Sequence, residues 1–146
     1  MDDQNCIKKL SDLAQLDIDA VNAYETALKK IDDKETHNTI SQFRQDHLQH
    51  VEELNSLIRK LGGKPVEFTQ DLKGYLIEGM TALRSVTGTK GALNAMEMNE
   101  IITNKNYSEA TQENTNFPDE VCALLKKNYA DEQRHLTFVR QALQKC

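Results

Sequence analysis

Four stretches of this chain carry apolar residues at spacings of three or four, the signature of a helix that buries one face. The first reads Leu10, Leu13, Asp17, Val21, Tyr24, Leu28, Ile31. The second reads Ile40, Phe43, His47, His50, Leu54, Leu57, Leu61, with unbroken alternation. The third reads Leu93, Met96, Glu100, Thr103, Tyr107, Ala110, and the fourth Val121, Leu125, Tyr129, Glu132, His135, Val139, Ala142. Four such seams can be buried only against one another, which predicts an all-α bundle. Two prolines, six glycines and no tryptophan in 146 residues agree with long, uninterrupted helices.

Punctuation sets the expected boundaries. Helix one is predicted from Cys6 to Ile31, ending in the turn Asp32-Asp33-Lys34. Helix two is predicted from Glu35 to Leu61, stopped by Gly62-Gly63 with Pro65 beyond. A shorter helix is predicted from Asp71 to Val86. Thr89 is the expected cap of a helix from Lys90 to Glu113. After the turn Asn114-Thr115-Asn116-Phe117, Pro118 is expected in the first turn of a last helix that runs to near the C-terminus, with Asp119 and Glu120 at its positive end. Two helical hairpins joined by a crossover that carries one short helix is the expected up-down four-helix architecture, in a single domain spanning 1–146.

Midway along every seam an ionisable residue occupies a core position: Asp17, His47 with His50, Glu100, and Glu132 with His135. Three of the four histidines belong to this set. Each buried charge costs several kcal/mol even after relaxation, so six at one level need a compensating partner. A divalent cation supplies it, pairing with the carboxylates and accepting the imidazole lone pairs. The two halves also repeat. Asp17 precedes Tyr24 by seven residues, as Glu100 precedes Tyr107. Asp46-His47-Leu48-Gln49-His50 in one half corresponds to Asp131-Glu132-Gln133-Arg134-His135 in the other.

On these residues the chain resembles the ferritin-like di-iron carboxylate superfamily, which includes bacterioferritins and rubrerythrins, and within it the small bacterial ferritin-like domains of unassigned function. The resemblance spans nearly the whole chain. It implies a ferritin-like fold and metal ligands Asp17, His47, His50, Glu100, Glu132 and His135. It also implies iron as the metal, with manganese or zinc as substitutes. Glu132-Gln133-Arg134-His135 matches the superfamily's Glu-x-x-His, and Glu100 its lone Glu. Asp17 stands for the other lone Glu, and His50 for the other His. His47 departs, standing where a bridging Glu is usual. One imidazole nitrogen cannot bridge two ions, so the number of ions is open.

Asp46 and Asp131, beside the seam, are expected to orient ligand imidazoles. Asp19, Glu25 and Glu97 are expected at or near solvent. Tyr24 and Tyr107 are expected in the core with hydroxyls on carboxylates, Met80, Met96 and Met98 in the core, and His37 in solvent.

A net charge of −5 without a basic run argues against nucleic acid. No apolar stretch reaches the ~20 residues of a membrane span, and the acidic N-terminus lacks a signal-peptide core. Cys6, Cys122 and Cys146, odd in number and far apart, suggest free thiols in a reducing cytoplasm, with Cys146 exposed. Two function classes remain. One is an iron-dependent oxidoreductase, ferroxidase- or peroxidase-like, which would take electrons from an external donor because no CxxC pair supplies a rubredoxin site. The other is a non-enzymatic stress or scaffold module with a degenerate or empty metal site. A homo-oligomer is compatible with either.

Overall fold

The computed structural model describes residues 3–69, 74–113 and 116–146. The four seams become α1 (Asp3–Leu28), α2 (Lys34–Lys60), α4 (Gly88–Glu113) and α5 (Asp119–Lys145), with a short α3 (Ile77–Ser85) between α2 and α4. Local chemistry sets the ends of α2. Asp33 caps its start, accepting from Thr36 N at 2.9 Å and Thr36 Oγ1 at 2.6 Å. At its end Gly62 takes the left-handed φ of 88°. Its N–H donates to Arg59 O and that of Gly63 to Ile58 O, which satisfies the last carbonyls.

Helix α1 packs on α2 and α4, and α5 packs on α4 and α2, so α1 lies diagonally across from α5. The Asp32 and Asp33 amides donate to Thr89 Oγ1 at 2.8 and 3.2 Å, placing the α1–α2 turn against the start of α4. Lys60 meets Glu120 at 2.9 Å, placing the end of α2 beside the start of α5. All neighbouring helices therefore run antiparallel, and the α2–α4 connection travels the length of the bundle. This is the ferritin-like order that the sequence leads one to expect. Polar side chains strap the crossover down. Asn55 grips Val66 through both its backbone groups, at 2.9 and 3.0 Å, and Asn22 donates to Thr69 O at 3.0 Å. Lys30 Nζ serves the carbonyls of Leu83 and Val86 at the end of α3. Among the described residues no helix is long and apolar enough to cross a membrane.

Several expectations are corrected. Helix α1 ends at Leu28, three residues before Ile31, which still packs its side chain into the core. Helix α3 begins at Ile77, and Gly74 before it has a φ of 101°. Asp71–Lys73 of the expected helix, and Asn114 and Thr115 of the expected turn, lie outside the described residues. Thr89 sits inside the first turn of α4 and serves the neighbouring turn instead of capping its own helix. Pro118 stands just before α5, which starts at Asp119. Met80 and Met96 are buried, but Met98 is 40% exposed. Asp19 is buried, and His37 is half-buried. In α5 the inward position belongs to Asn128, with Tyr129 at the margin.

Gly79 of α3 lies against Asn99 of α4. A Cβ at position 79 would stand 1.6 Å from Asn99 Oδ1, and Asn99 is buried with little room to turn. Gly79→Ala is expected to destabilise the protein by about 1–3 kcal/mol through overpacking. In urea titrations Asn99→Ala should recover most of that loss in the double variant, because it removes the atom that clashes.

Candidate metal centre

The six predicted residues meet at one level. Asp17 comes from α1, His47 and His50 from α2, Glu100 from α4, and Glu132 and His135 from α5. None is more than 1% exposed. Spacing explains the convergence: each residue sits on its helix's inward stripe, and antiparallel packing brings the four midpoints together. Two overlapping sets of four have ligand atoms close enough to hold one ion: Asp17, His47, His50, Glu132, and His47, Glu100, Glu132, His135. His47 and Glu132 belong to both.

The surroundings are cross-wired. Tyr24 of the first hairpin donates to Glu100 Oε1 of the second at 3.0 Å. Tyr107 of the second donates to Asp17 Oδ2 of the first at 2.5 Å. His135 Nε2 lies 2.8 Å from Asp46, and His50 Nε2 lies 2.8 Å from Asp131, again across hairpins. Arg134 spans both of those aspartates, at 2.9 and 3.3 Å. These are the imidazole-orienting roles expected of Asp46 and Asp131. Four partners were not foreseen. Asn128 Nδ2 donates to the Tyr107 hydroxyl at 3.3 Å, Thr103 Oγ1 to Glu100 Oε2 at 3.4 Å, and Asn104 Nδ2 to Glu132 O at 2.9 Å. The fourth, Phe43, stacks on the His135 ring with centroids 4.2 Å apart.

The electrostatics follow from burial and mutual pairing. Burial works against the charge on Asp17, but His50 and His47 outweigh it and hold the carboxyl well below the usual range. Glu100 is likewise buried, yet His135 and His47 bring it down to about 2. Burial also opposes the charge on His50, but Asp17 and Asp131 push it up to about 9. His47 and His135 are raised against burial too, the first chiefly by Glu132 and Asp17, the second by Asp46 and Glu100. Burial pushes Glu132 the other way for a carboxyl, up to about 7, against the pull of His47.

Among the described residues six buried side-chain atoms have no hydrogen-bond partner, and four of them belong to this cluster: His47 Nε2, His135 Nδ1 and both carboxylate oxygens of Glu132. Such groups are costly unless a ligand satisfies them. Around them, Glu100 Oε1 lies 3.5 Å from His135 Nδ1 and 3.9 Å from His47 Nε2. Glu132 oxygens lie 3.6 Å from His47 Nε2 and 3.7 Å from His135 Nδ1. These separations are too long for hydrogen bonds. They are slightly longer than the roughly 3.0–3.4 Å between donors around a shared ion at about 2.1 Å, a gap that small side-chain movements would close. The buried carboxylate and histidine cluster is therefore able to hold a metal ion.

A family profile described as "Domain of unknown function (DUF2383)" matches residues 5–113. The chain belongs to this family. The match takes in α1 to α4 and so Asp17, His47, His50 and Glu100 of this DUF2383 chain, while Glu132 and His135 lie beyond it on α5. No curated protein matches the chain.

The pKa shifts give a signed expectation for the metal-free protein. His50 is raised from 6.5 to about 9, so its contribution to stability is fully present below 6.5 and is lost as pH rises through about 9. Glu132, raised from 4.5 to about 7, also makes the folded state bind its proton more tightly, so stability falls as pH rises across that window. The thermal midpoint of chelator-treated protein should therefore decline between about pH 5 and pH 9. His50→Gln should flatten the upper part of the profile; a parallel curve would contradict this assignment.

Proposed function

We propose that this chain is a ferritin-like metal-binding protein whose bundle core holds iron, with dioxygen or peroxide as the co-reactant in iron or oxidative-stress handling. The observation that carries this reading is the set of partnerless buried donors on His47, Glu132 and His135, which converge with Glu100. The centre is built from Asp17, His47, His50, Glu100, Glu132 and His135. Mixed carboxylate and imidazole donors suit Fe(II) or Mn(II), and zinc could take the same atoms. Bound iron would supply one-electron exchange with an oxidant.

The chain's own residues do the rest. Asp46 and Asp131 fix the ring orientation of His135 and His50. Tyr24 and Tyr107 hold Glu100 and Asp17 in place through their hydroxyls. Burial excludes bulk water from all six residues, and Phe43 covers the outer face of His135.

A second reading is a non-enzymatic module with a degenerate site. It is favoured by His47, whose Nδ1 is committed to Asp17 at 2.6 Å where a bridging carboxylate would otherwise stand. Anaerobic Fe(II) titration followed by exposure to air separates the two. The first reading expects tight iron uptake and a new absorption band on oxidation, whereas absence of uptake sinks it and leaves the module.

His47→Glu is expected to raise iron uptake toward two ions per chain. Two Fe(II) ions carry +4, and Asp17, Glu100 and Glu132 supply only −3. A glutamate adds the missing charge and a second bridge, worth several kcal/mol in a low-dielectric core. His47→Ala adds neither and should leave the stoichiometry low. Parallel anaerobic titrations of the three proteins provide the check.

A further inference from the structure

Helices α2 and α5 are the most loosely joined of the neighbouring helices, and ion pairs lace their seam. Lys60 meets Glu120, Glu53 meets Lys127 and Asp46 meets Arg134, each at 2.9 Å. From pair to pair the position falls by seven along α2 and rises by seven along α5, so the series recurs every two turns of an antiparallel seam. Its next step sets Thr39 beside Gln141, and neither carries a charge. There the seam opens into a groove of about 610 Å³ lined by both, with the exposed Gln42, Gln133 and Thr137 at its mouth. The floor is aromatic, Phe43 edge-to-face with Phe138 at 5.4 Å between centroids.

The groove ends against the metal centre. Phe43 is 3% exposed and stacks on the His135 ring at 4.2 Å, so one side chain separates the groove from a residue of the centre. Beyond the His135 ring, Glu100 Oε1 lies 3.5 Å from its Nδ1. The lining offers no carboxylate to an incoming cation. Among the described residues its one charged side chain is Arg134, which lies over the Phe43 ring at 5.5 Å from the centroid. The nearby Asp46 and Asp131 are turned to Arg134 and to the outer nitrogens of His135 and His50. A divalent ion is drawn by free carboxylates, whereas amide, hydroxyl and aromatic surface suits a small uncharged molecule.

Resting on the iron reading above, we propose that this groove is the port through which a small uncharged oxidant, dioxygen or hydrogen peroxide, reaches the centre, with Phe43 as its door. Gln42, Gln133 and Thr137 can exchange hydrogen bonds with peroxide and its water, and the aromatic floor accepts dioxygen. Opening takes a rotamer change at Phe43 and leaves the helices in place. The three ion pairs hold the rest of the seam together, so the port stands where their series stops.

The first arm of the test uses dissolved dioxygen as a paramagnetic probe of the full chain, kept free of metal by a chelator, and reads ring carbon–proton relaxation by NMR. Tyr107 is as deeply buried as Phe43 but lies away from the groove, against Asp17 and His50. Oxygen should relax the Phe43 and His135 rings faster than the Tyr107 ring. Thr137→Trp, at an exposed lining position outside the centre, should fill the groove and bring both down to the Tyr107 level. Equal enhancement at all three rings in the wild type, or unchanged enhancement in the variant, overturns the port. In the second arm, Fe(II)-loaded protein is mixed rapidly with dioxygen and, separately, with peroxide. Thr137→Trp should take up Fe(II) as the wild type does and lose oxidation rate, and the oxidant whose rate falls is the one the port admits. Fe(II) uptake slowed as much as oxidation would make the groove the ion's route and overturn the uncharged occupant. A wild type that takes up no Fe(II) would sink the iron reading and the oxidant's role with it, while the relaxation arm, which needs no metal, judges the port separately. If Thr137→Trp fails to fold, the wild-type comparison of Phe43 with Tyr107 decides alone.

Discussion

Mutual compensation among six buried ionisable side chains is the constraint the rest of the bundle has to meet. Three carboxylates and three imidazoles sit where a seam of leucines would otherwise continue, and each is within reach of a partner from another helix. Shifting any one helix by a turn, about 5.4 Å, would strand a charge in an apolar layer. Register, helix order and antiparallel direction are thus tied to the centre, and the apolar residues above and below it supply the burial that keeps it dry. The buried Ala27, Ile40 and Leu93 lie toward the end where α1 stops and α4 begins, and Leu10, Leu54, Ala110 and Leu125 toward the other.

Much of this was legible in the sequence because a helix reports its buried face through spacing. The spacing of three or four brought out all six residues of the buried cluster and gave the four helices to within a few residues at each end. Where the reading slipped, the reasons are physical. Tyr129 looked like the inward residue of α5 because it is aromatic, yet Asn128 completes a strict alternation from Leu125 to Glu132 and is buried since Tyr107 gives it a hydrogen-bond partner. Met98 is apolar but lies off the stripe and faces outward. Asp19 is buried on the side of α1 that faces the crossover, which no periodicity in α1 alone could reveal. Helix α3 starts late because only contact with α1 and α4 stabilises a segment that short.

What spacing could not show is direction of reach. That Tyr24 serves Glu100, and that His50 turns its outer nitrogen to Asp131, depends on which hairpin faces which across the bundle. Nor could it show that His47 lends one nitrogen to each side. A histidine in place of a glutamate reads in one dimension as a loss of charge. In three dimensions its two ring nitrogens face different partners, Nδ1 the carboxylate of Asp17 at 2.6 Å and Nε2 that of Glu132 at 3.6 Å.

The crossed hydrogen bonds also bear on how such a chain can change over generations. Each hairpin keeps the acids and imidazoles of its own repeat but relies on the opposite repeat for the groups that hold them: Tyr107 for Asp17, Tyr24 for Glu100, Asp131 for His50, Asp46 for His135. A hairpin exchanged between relatives would arrive with its acids and imidazoles and without their supports. The two repeats are therefore bound to co-evolve, and the harm of a substitution in one is to be looked for in the tolerance of the other.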